Sequence, residues 1–287
     1  MAEQRFLTGL IGRGIQRSRS PQMHEREADA QGLRLVYRLF DFSKLGLPDS
    51  DLPRQLDELE EAGFAGVNIT HPFKHAIVKH LDDLSSEAER IGAVNTVAFR
   101  DGRRIGYNTD VSGFEVAFRK SLGGAALTNV FQVGAGGAGS ATAFALLTLG
   151  VQRLTIHDHS ASRAAALVER ARRYFEPGRV VLCTDVRECL ATSDGIVNAT
   201  PMGMAEHPGM PVPEHSLTDH LWVAEVVYFP LETALLAAAR AKGCRVMDGS
   251  LMAVHQAAGA FEIFTGIPAD ADRMARSFLE SGSDTQT

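Results

Sequence analysis

The chain has 287 residues, 45% hydrophobic and 22% charged, with a net charge of −6, enough for two globular domains of ordinary composition. The acidic balance and the lack of any Lys/Arg-rich run argue against a nucleic-acid surface. Cys183, Cys189 and Cys244 lack C-x-x-C spacing, against a disulfide framework or zinc site. No basic-then-apolar leader opens the chain and no apolar run reaches the ~18–20 residues of a membrane span, so the expectation is a cytoplasmic protein.

In chain order, residues 6–12 read as a strand, followed by a loop that ends at Pro21. Pro21 to Gln31 reads as a helix with proline in its first turn and Gly32 beyond its end. Leu33 to Phe40 is a second strand. Leu52, Leu56 and Leu59 give Asp51 to Ala62 one buried helical face. Gly66 to Ile69 is a short strand, and Thr70-His71-Pro72 turns into a helix expected to reach about His80. A helix at Ser85 to Ile91 leads to a hairpin, Ala93 to Arg100 and Arg103 to Tyr107, turned by Asp101-Gly102. From Asp110 a helix leads onward. Val130 to Val133, the run Gly134-Ala135-Gly136-Gly137-Ala138-Gly139, an apolar helix through Leu149 and a strand from Arg153 to Ile156 then form one unit, which closes at Asp158. Further elements alternate: a helix at Ser162 to Tyr174, strands at Val180 to Leu182, Gly195 to Asn198 and Trp222 to Val227, a helix at Glu232 to Ala241, and a strand at Cys244 to Met247. This alternation predicts a parallel sheet covered on both faces. Helices at Met252 to Phe264 and Ala271 to Leu279 are left without a strand to serve and are expected to return to the first domain. Ser281 to Thr287 is expected to fray.

The glycine-rich run lies in the strand–turn–helix context that dinucleotide binding requires. Gly134 allows the tight turn, Gly136 the approach of a pyrophosphate, and Gly139 close helix–strand packing. The following helix N-terminus presents N–H groups to the phosphates. In the first half, Ser18 and Ser20, read as extended, would direct both hydroxyls at one ligand; a cap plus a surface serine is the bland alternative. Asn68 and Thr70 end a strand and Lys74 follows, at the sheet edge where open α/β sheets bind ligands. Turn, cap and solvated-lysine roles would explain them equally. Asn95 sits in an apolar run and must be hydrogen-bonded, to a substrate hydroxyl or to backbone. Asp110 is either an acid/base partner for Lys74 or a helix cap. His71 and His75, spaced i, i+4, lack the intervening glutamate of a zinc-protease helix, and no metal is expected.

Taken together, these motifs resemble the shikimate dehydrogenase family, and within it the quinate/shikimate dehydrogenase branch. The likeness runs from Ser18-Arg19-Ser20-Pro21 through Gly66-Val67-Asn68-Ile69-Thr70-His71-Pro72-Phe73-Lys74, Gly92-Ala93-Val94-Asn95-Thr96, Asn108-Thr109-Asp110 and Asn198-Ala199-Thr200-Pro201-Met202-Gly203-Met204 to Val227-Tyr228 and Gln256-Ala257-Ala258. The resemblance implies an α/β fold with an N-terminal substrate domain, residues 1–111 completed by residues 252–287, and a Rossmann-type doubly wound dinucleotide-binding domain, residues 112–251. It implies a catalytic pair of Lys74 and Asp110 at the hydroxyl being oxidised. Ser18 and Ser20 would hold the substrate carboxylate, and Asn68, Thr70, Asn95, Asp110, Tyr228 and Gln256 the rest of the substrate. The loop Gly134 to Gly139 with Asp158, Arg163, Asn198, Thr200, Met202, Val227 and Met252 would hold the cofactor.

Most biosynthetic members carry Asn-Arg-Thr where this chain has Asp158-His159-Ser160. A carboxylate there accepts ribose hydroxyls and repels a 2′-phosphate, which implies NAD over NADP, with Arg163 and protonated His159 left as phosphate partners. Ser20 matches the shikimate type where quinate-accepting members often have Thr. Leu251 replaces a usual glycine, and Phe229 an asparagine. The expected activity is reversible hydride transfer between shikimate, or quinate, and NAD. A dehydrogenase of an aminated relative of shikimate, or a silent dinucleotide-binding regulator, are the alternatives. The expected partner is a small molecule, not nucleic acid or membrane, and the chain a monomer or homodimer.

Overall fold

A computed structural model describes residues 4–280; the expected fraying of Ser281 to Thr287 lies outside the described residues. The elements begin β1 (Arg5–Gly12), α1 (Ser20–Ala30), β2 (Arg34–Asp41), α2 (Phe42–Leu45), α3 (Leu52–Glu61), β3 (Gly66–Ile69), β4 (Asp83–Leu84) and α4 (Ser86–Ile91). Next come β5 (Thr96–Arg100), β6 (Arg103–Tyr107), α5 (Asp110–Leu122), β7 (Asn129–Val133), α6 (Gly137–Leu149), β8 (Arg153–His157), α7 (Ala161–Ala171) and β9 (Val180–Leu182). The chain closes with α8 (Val186–Ala191), β10 (Gly195–Asn198), β11 (Trp222–Glu225), α9 (Ala234–Ala241), β12 (Arg245–Met247), α10 (Ser250–Thr265) and α11 (Ala271–Glu280). They divide into two compact units, Met1–Thr109 with Val254–Thr287, and Asp110–Ala253.

In the first unit one sheet runs β2-β1-β3-β5-β6-β4. β1 pairs in parallel with β2 and β3, and β5 is antiparallel to β3 and β6. The Asp101-Gly102 turn has φ of 51° and 70°, the left-handed pair that a two-residue hairpin demands. Leu52, Leu56 and Leu59 of α3 pack with Ile11, Val67 and Ile69 in one core. α11 packs on α1, where the wholly buried Glu27 accepts from Arg273 Nε at 2.6 Å and from the Asp270 N–H at 2.8 Å. Burial alone would raise the Glu27 pKa, but Arg273, the Asp270 N–H and Gln31 together hold it below the ordinary value.

In the second unit all six strands are parallel, in the order β12-β11-β10-β7-β8-β9. β7 and β10 are neighbours although the chain goes from β7 to β8, so the winding reverses between them. Open α/β sheets bind dinucleotides at that reversal. β10 and β11 are buried at every residue, and each stays apolar up to a buried polar last residue, Asn198 and Glu225. α6 is apolar on all sides because nine of its residues, Gly139 to Leu147, are buried.

Several sequence expectations change. No α-helix follows Pro72; turns lead instead to a 3-10 stretch at Ala76–His80. The carbonyl of Lys74, which an α-helix would offer to residue 78, accepts from the Val94 N–H at 2.8 Å, and the Val78 N–H turns to the His75 carbonyl. The first hairpin strand starts at Thr96, not Ala93. β4 and α8 were not expected: β4 is too short to show a period, and α8 is announced only by Asp185, whose side chain caps it. β11 stops at Glu225, whose Oε1 accepts the Val227 N–H, and α9 starts after its Thr233 cap. α7 ends at Ala171 and the chain continues in turns past Tyr174.

Candidate active site

In the first unit, Asn68 is the third of the four residues of β3, with its side chain buried. Its Oδ1 accepts from the Tyr37 hydroxyl at 2.8 Å, while Nδ2 donates to the Asn95 carbonyl and to Thr96 Oγ1 at 3.2 and 2.9 Å. With both amide protons engaged, the spare lone pair of Oδ1 is what Asn68 can offer a ligand. Thr70, just beyond, is half-buried; its methyl would lie 2.4 Å from a Cβ at Gly12, so glycine there makes room for it.

Asn95 finds its partners in the protein, which answers the question raised by its apolar setting. Its Oδ1 receives the Thr109 N–H at 2.8 Å and the Thr96 hydroxyl at 3.0 Å, and Nδ2 donates to Thr109 Oγ1 at 2.9 Å. These bonds tie Asn95 to Thr109 within the first unit. Lys74 is bonded to Val94, the neighbour of Asn95, and Asp110 follows Thr109 as the first, buried residue of α5. In α10, Gly259 faces Thr109, with a built Cβ 3.2 Å from the threonine methyl. Half-buried Gln256 lies three residues earlier on that face.

Ser18 and Ser20 do converge, their hydroxyls 3.2 Å apart, but not by strand alternation. Arg19 between them is helical (φ −86°, ψ −2°), and Ser20 begins α1, so a turn brings the hydroxyls together. The loop before them is held by Asp41, a residue with no sequence signal except its place before α2. Buried Asp41 accepts from the N–H groups of Gly14, Ser43 and Ile15 at 3.0, 3.0 and 3.1 Å and from Gln16 Nε2 at 3.1 Å. Burial would raise its pKa, yet these four donors hold it below the usual value.

In the second unit the glycines have distinct reasons. Gly134 has φ of 109°, and a Cβ there would lie 2.5 Å from the Ala199 carbonyl oxygen. A Cβ at Gly139 would lie 2.2 Å from the Gly134 carbonyl oxygen, whereas one at Gly136 would meet nothing within 4 Å. The first and last glycines are therefore packing requirements, and the middle one faces open space. Gly136 starts α6 without any side-chain cap, so the Gly137 and Ala138 end of the helix can receive an anion. This cradle fits a dinucleotide pyrophosphate.

Asp158, its side chain 6% exposed, accepts the Ala135 N–H at Oδ2 (2.8 Å) and the Ser160 N–H at Oδ1 (2.8 Å). Arg163 approaches Oδ1 at 3.1 Å and His159 Nε2 at 3.0 Å. Burial raises the Asp158 pKa, but the Ser160 and Ala135 N–H groups and Arg163 outweigh it and keep the carboxyl ionised. Across the winding reversal, buried Asn198 donates to the Met202 carbonyl at 2.8 Å and to both oxygens of Glu225 at 2.9 and 3.0 Å. Its Oδ1 accepts from the Thr200 N–H and hydroxyl at 3.1 and 2.7 Å. Met202 is 40% exposed on this loop, Val227 and Met252 are buried, and Tyr228 is half-buried.

Sequence reasoning missed Tyr37, Asp41, Gln132 and Glu225. Gln132 and Glu225 carry the signal that singled out Asn95, a polar residue inside an apolar strand. Among the described residues no group of three or more His, Cys, Asp or Glu side chains could hold a metal ion, and no helix is long and apolar enough to cross a membrane.

Comparison with known proteins adds to this geometry. The shikimate dehydrogenase substrate binding domain matches residues 10–97, and the shikimate 5′-dehydrogenase C-terminal domain matches residues 249–277. A shikimate dehydrogenase (NADP(+)) of Pseudarthrobacter chlorophenolicus is 50% identical over 277 residues, 96% of this chain and 94% of that protein. A quinate/shikimate dehydrogenase (NAD(+)) of Corynebacterium glutamicum (strain R) is 48% identical over 279 residues, 96% of this chain and 98% of that protein. The structure of quinate dehydrogenase from Corynebacterium glutamicum in complex with NAD superposes with a TM-score of 0.89 at 47% identity, covering 97% of this chain and 100% of that one.

Proposed function

The chain belongs to the shikimate dehydrogenase family, and from that premise we propose that it oxidises a ring hydroxyl of shikimate, and of quinate, with NAD preferred over NADP. The first unit supplies the substrate site and the second the dinucleotide site. NAD, when bound, would supply the hydride acceptor; Gly134, Ala135, Gly136, Gly137, Ala138 and Gly139 would hold its pyrophosphate and Asp158 its ribose. Arg163, Asn198, Thr200, Met202, Val227 and Met252 complete that site.

When the ring carbon gives up its hydride and becomes a carbonyl, the hydroxyl proton must leave. Lys74 and Asp110 take it as a pair, and in the reverse direction they return it to the carbonyl oxygen. The Asn95–Thr109 bonds support this reading: they fix Thr109, the residue before Asp110, against Asn95, whose neighbour Val94 donates its N–H to the Lys74 carbonyl. Ser18 and Ser20 hold the carboxylate with two neutral donors. Asn68, Thr70, Asn95, Tyr228 and Gln256 share the remaining substrate contacts.

The preference for NAD follows from Asp158. An ionised carboxylate accepts two ribose hydroxyls and repels a 2′-phosphate. Arg163, a candidate phosphate partner, is engaged by that same carboxylate. Steady-state rates for shikimate and quinate, each with NAD and with NADP, test the proposal. The expected result is turnover of both acids with a higher kcat/KM for NAD. Turnover of neither acid, or preference for NADP, would overturn it.

A further inference from the structure

Gln132 is wholly buried in β7 and plays no part in the chemistry above. Its Nε2 donates to the carbonyls of Gly134 and Gly139, each at 2.8 Å, and its Oε1 receives the Thr142 hydroxyl at 2.9 Å. Two carbonyls can only accept, so the NH2 end must face them, and Thr142 fixes the other end. One amide thus ties the first glycine of the loop to the last.

The consequence lies in the Gly134–Ala135 peptide. A trans peptide is a rigid plane whose C=O and N–H point in opposite directions. Here the C=O is drawn in to Gln132, and the N–H is delivered to Asp158 Oδ2 at 2.8 Å. The plane is held at both ends, and letting go of one end turns the other. The Gly139–Ser140 peptide is held likewise, its carbonyl by Gln132 and its N–H by the Gly136 carbonyl at 2.8 Å.

The geometry points to Gln132 as a positioning residue for the dinucleotide: through the Gly134–Ala135 peptide it sets where the loop and Asp158 stand, and so sets cofactor affinity and the choice between NAD and NADP. This rests on the reading of the loop as the cofactor site. Gln132 touches neither substrate nor the reacting atoms, so its loss spares the chemical step once cofactor is saturating.

Gln132→Met keeps length and apolar volume and removes both donors. The expected result is a rise of about tenfold in KM for NAD, matched by weaker NAD binding in calorimetry, with kcat and KM for shikimate changed by less than about twofold. The NAD-to-NADP ratio of kcat/KM should fall as well. A purely structural role would lower the melting temperature and leave that split unmoved. A folded Gln132→Met with unchanged KM and Kd for NAD would overturn the proposal. Should it fail to fold, Thr142→Val keeps the amide and frees its Oε1; a rise of about two- to threefold in KM for NAD is then expected, and no rise overturns it. Wild-type protein that binds NAD but turns over neither shikimate nor quinate would remove the proposed reaction and leave the calorimetric test of Gln132 standing.

Discussion

Replacing Glu225 by Gln should remove a pH dependence from the stability of the second unit. Glu225 is fully buried, and burial pushes its pKa from 4.5 up to about 7. Its donors, Asn198, the Val227 N–H and the Thr233 hydroxyl, pull the other way without prevailing. The unfolded chain loses this proton near 4.5 and the folded one keeps it to about 7. Between those values the folded state binds more protons, so stability falls as pH rises through the window and levels off above it. At about 1.4 kcal/mol per pKa unit, the loss approaches roughly 3 kcal/mol. Trp222, the chain's single tryptophan, is buried at the start of β11, whose last residue is Glu225. Urea denaturation followed by its fluorescence at pH 5, 6, 7 and 8 therefore reports on the right unit. Wild type should lose about 2–3 kcal/mol more than Glu225→Gln across that range. Parallel curves for the two proteins would refute the retained proton.

Three further outcomes are expected. Lys74→Ala should lower kcat for shikimate by about 10²-fold or more and leave NAD binding intact; near-wild-type turnover would remove Lys74 from the chemistry. Asp158→Ala should narrow the NAD-to-NADP ratio of kcat/KM by about tenfold or more, and an unchanged ratio would count against the ribose contact. Asp41→Asn turns one of two accepting oxygens into a donor facing N–H groups. It should raise KM for shikimate about fivefold without moving KM for NAD, because Asp41 braces the loop that leads to Ser18.

The parts most legible in the sequence were those set by local geometry. Asp101-Gly102 has the left-handed turn its residues favour, and Gly134 and Gly139 stand where a side chain would strike backbone. The parallel order of the second sheet followed from strands that alternate with helices. What stayed hidden depends on distant chain. The Val94 N–H claims the Lys74 carbonyl from twenty positions away and replaces the expected helix with turns. Asn68 owes its orientation to Tyr37 on another strand, and nothing near Asn68 announces that partner. Ser18 and Ser20 meet for a reason that strand periodicity does not contain. Gln132 and Glu225 were visible as polar residues in apolar strands, but their partners, a loop carbonyl and a remote asparagine, appear only in three dimensions.

The salt bridge between Glu27 and Arg273 joins positions 246 apart, and the whole second unit lies between them in the sequence. A ribosome therefore releases the parallel sheet of the second unit while the first unit still lacks α11 and most of α10. Glu27 emerges early and waits in water for a cation made near the end of synthesis. A protease nick just ahead of Ser250 should cut off α10 and α11 and spare every strand of both sheets, leaving a fragment that keeps the glycine-rich loop.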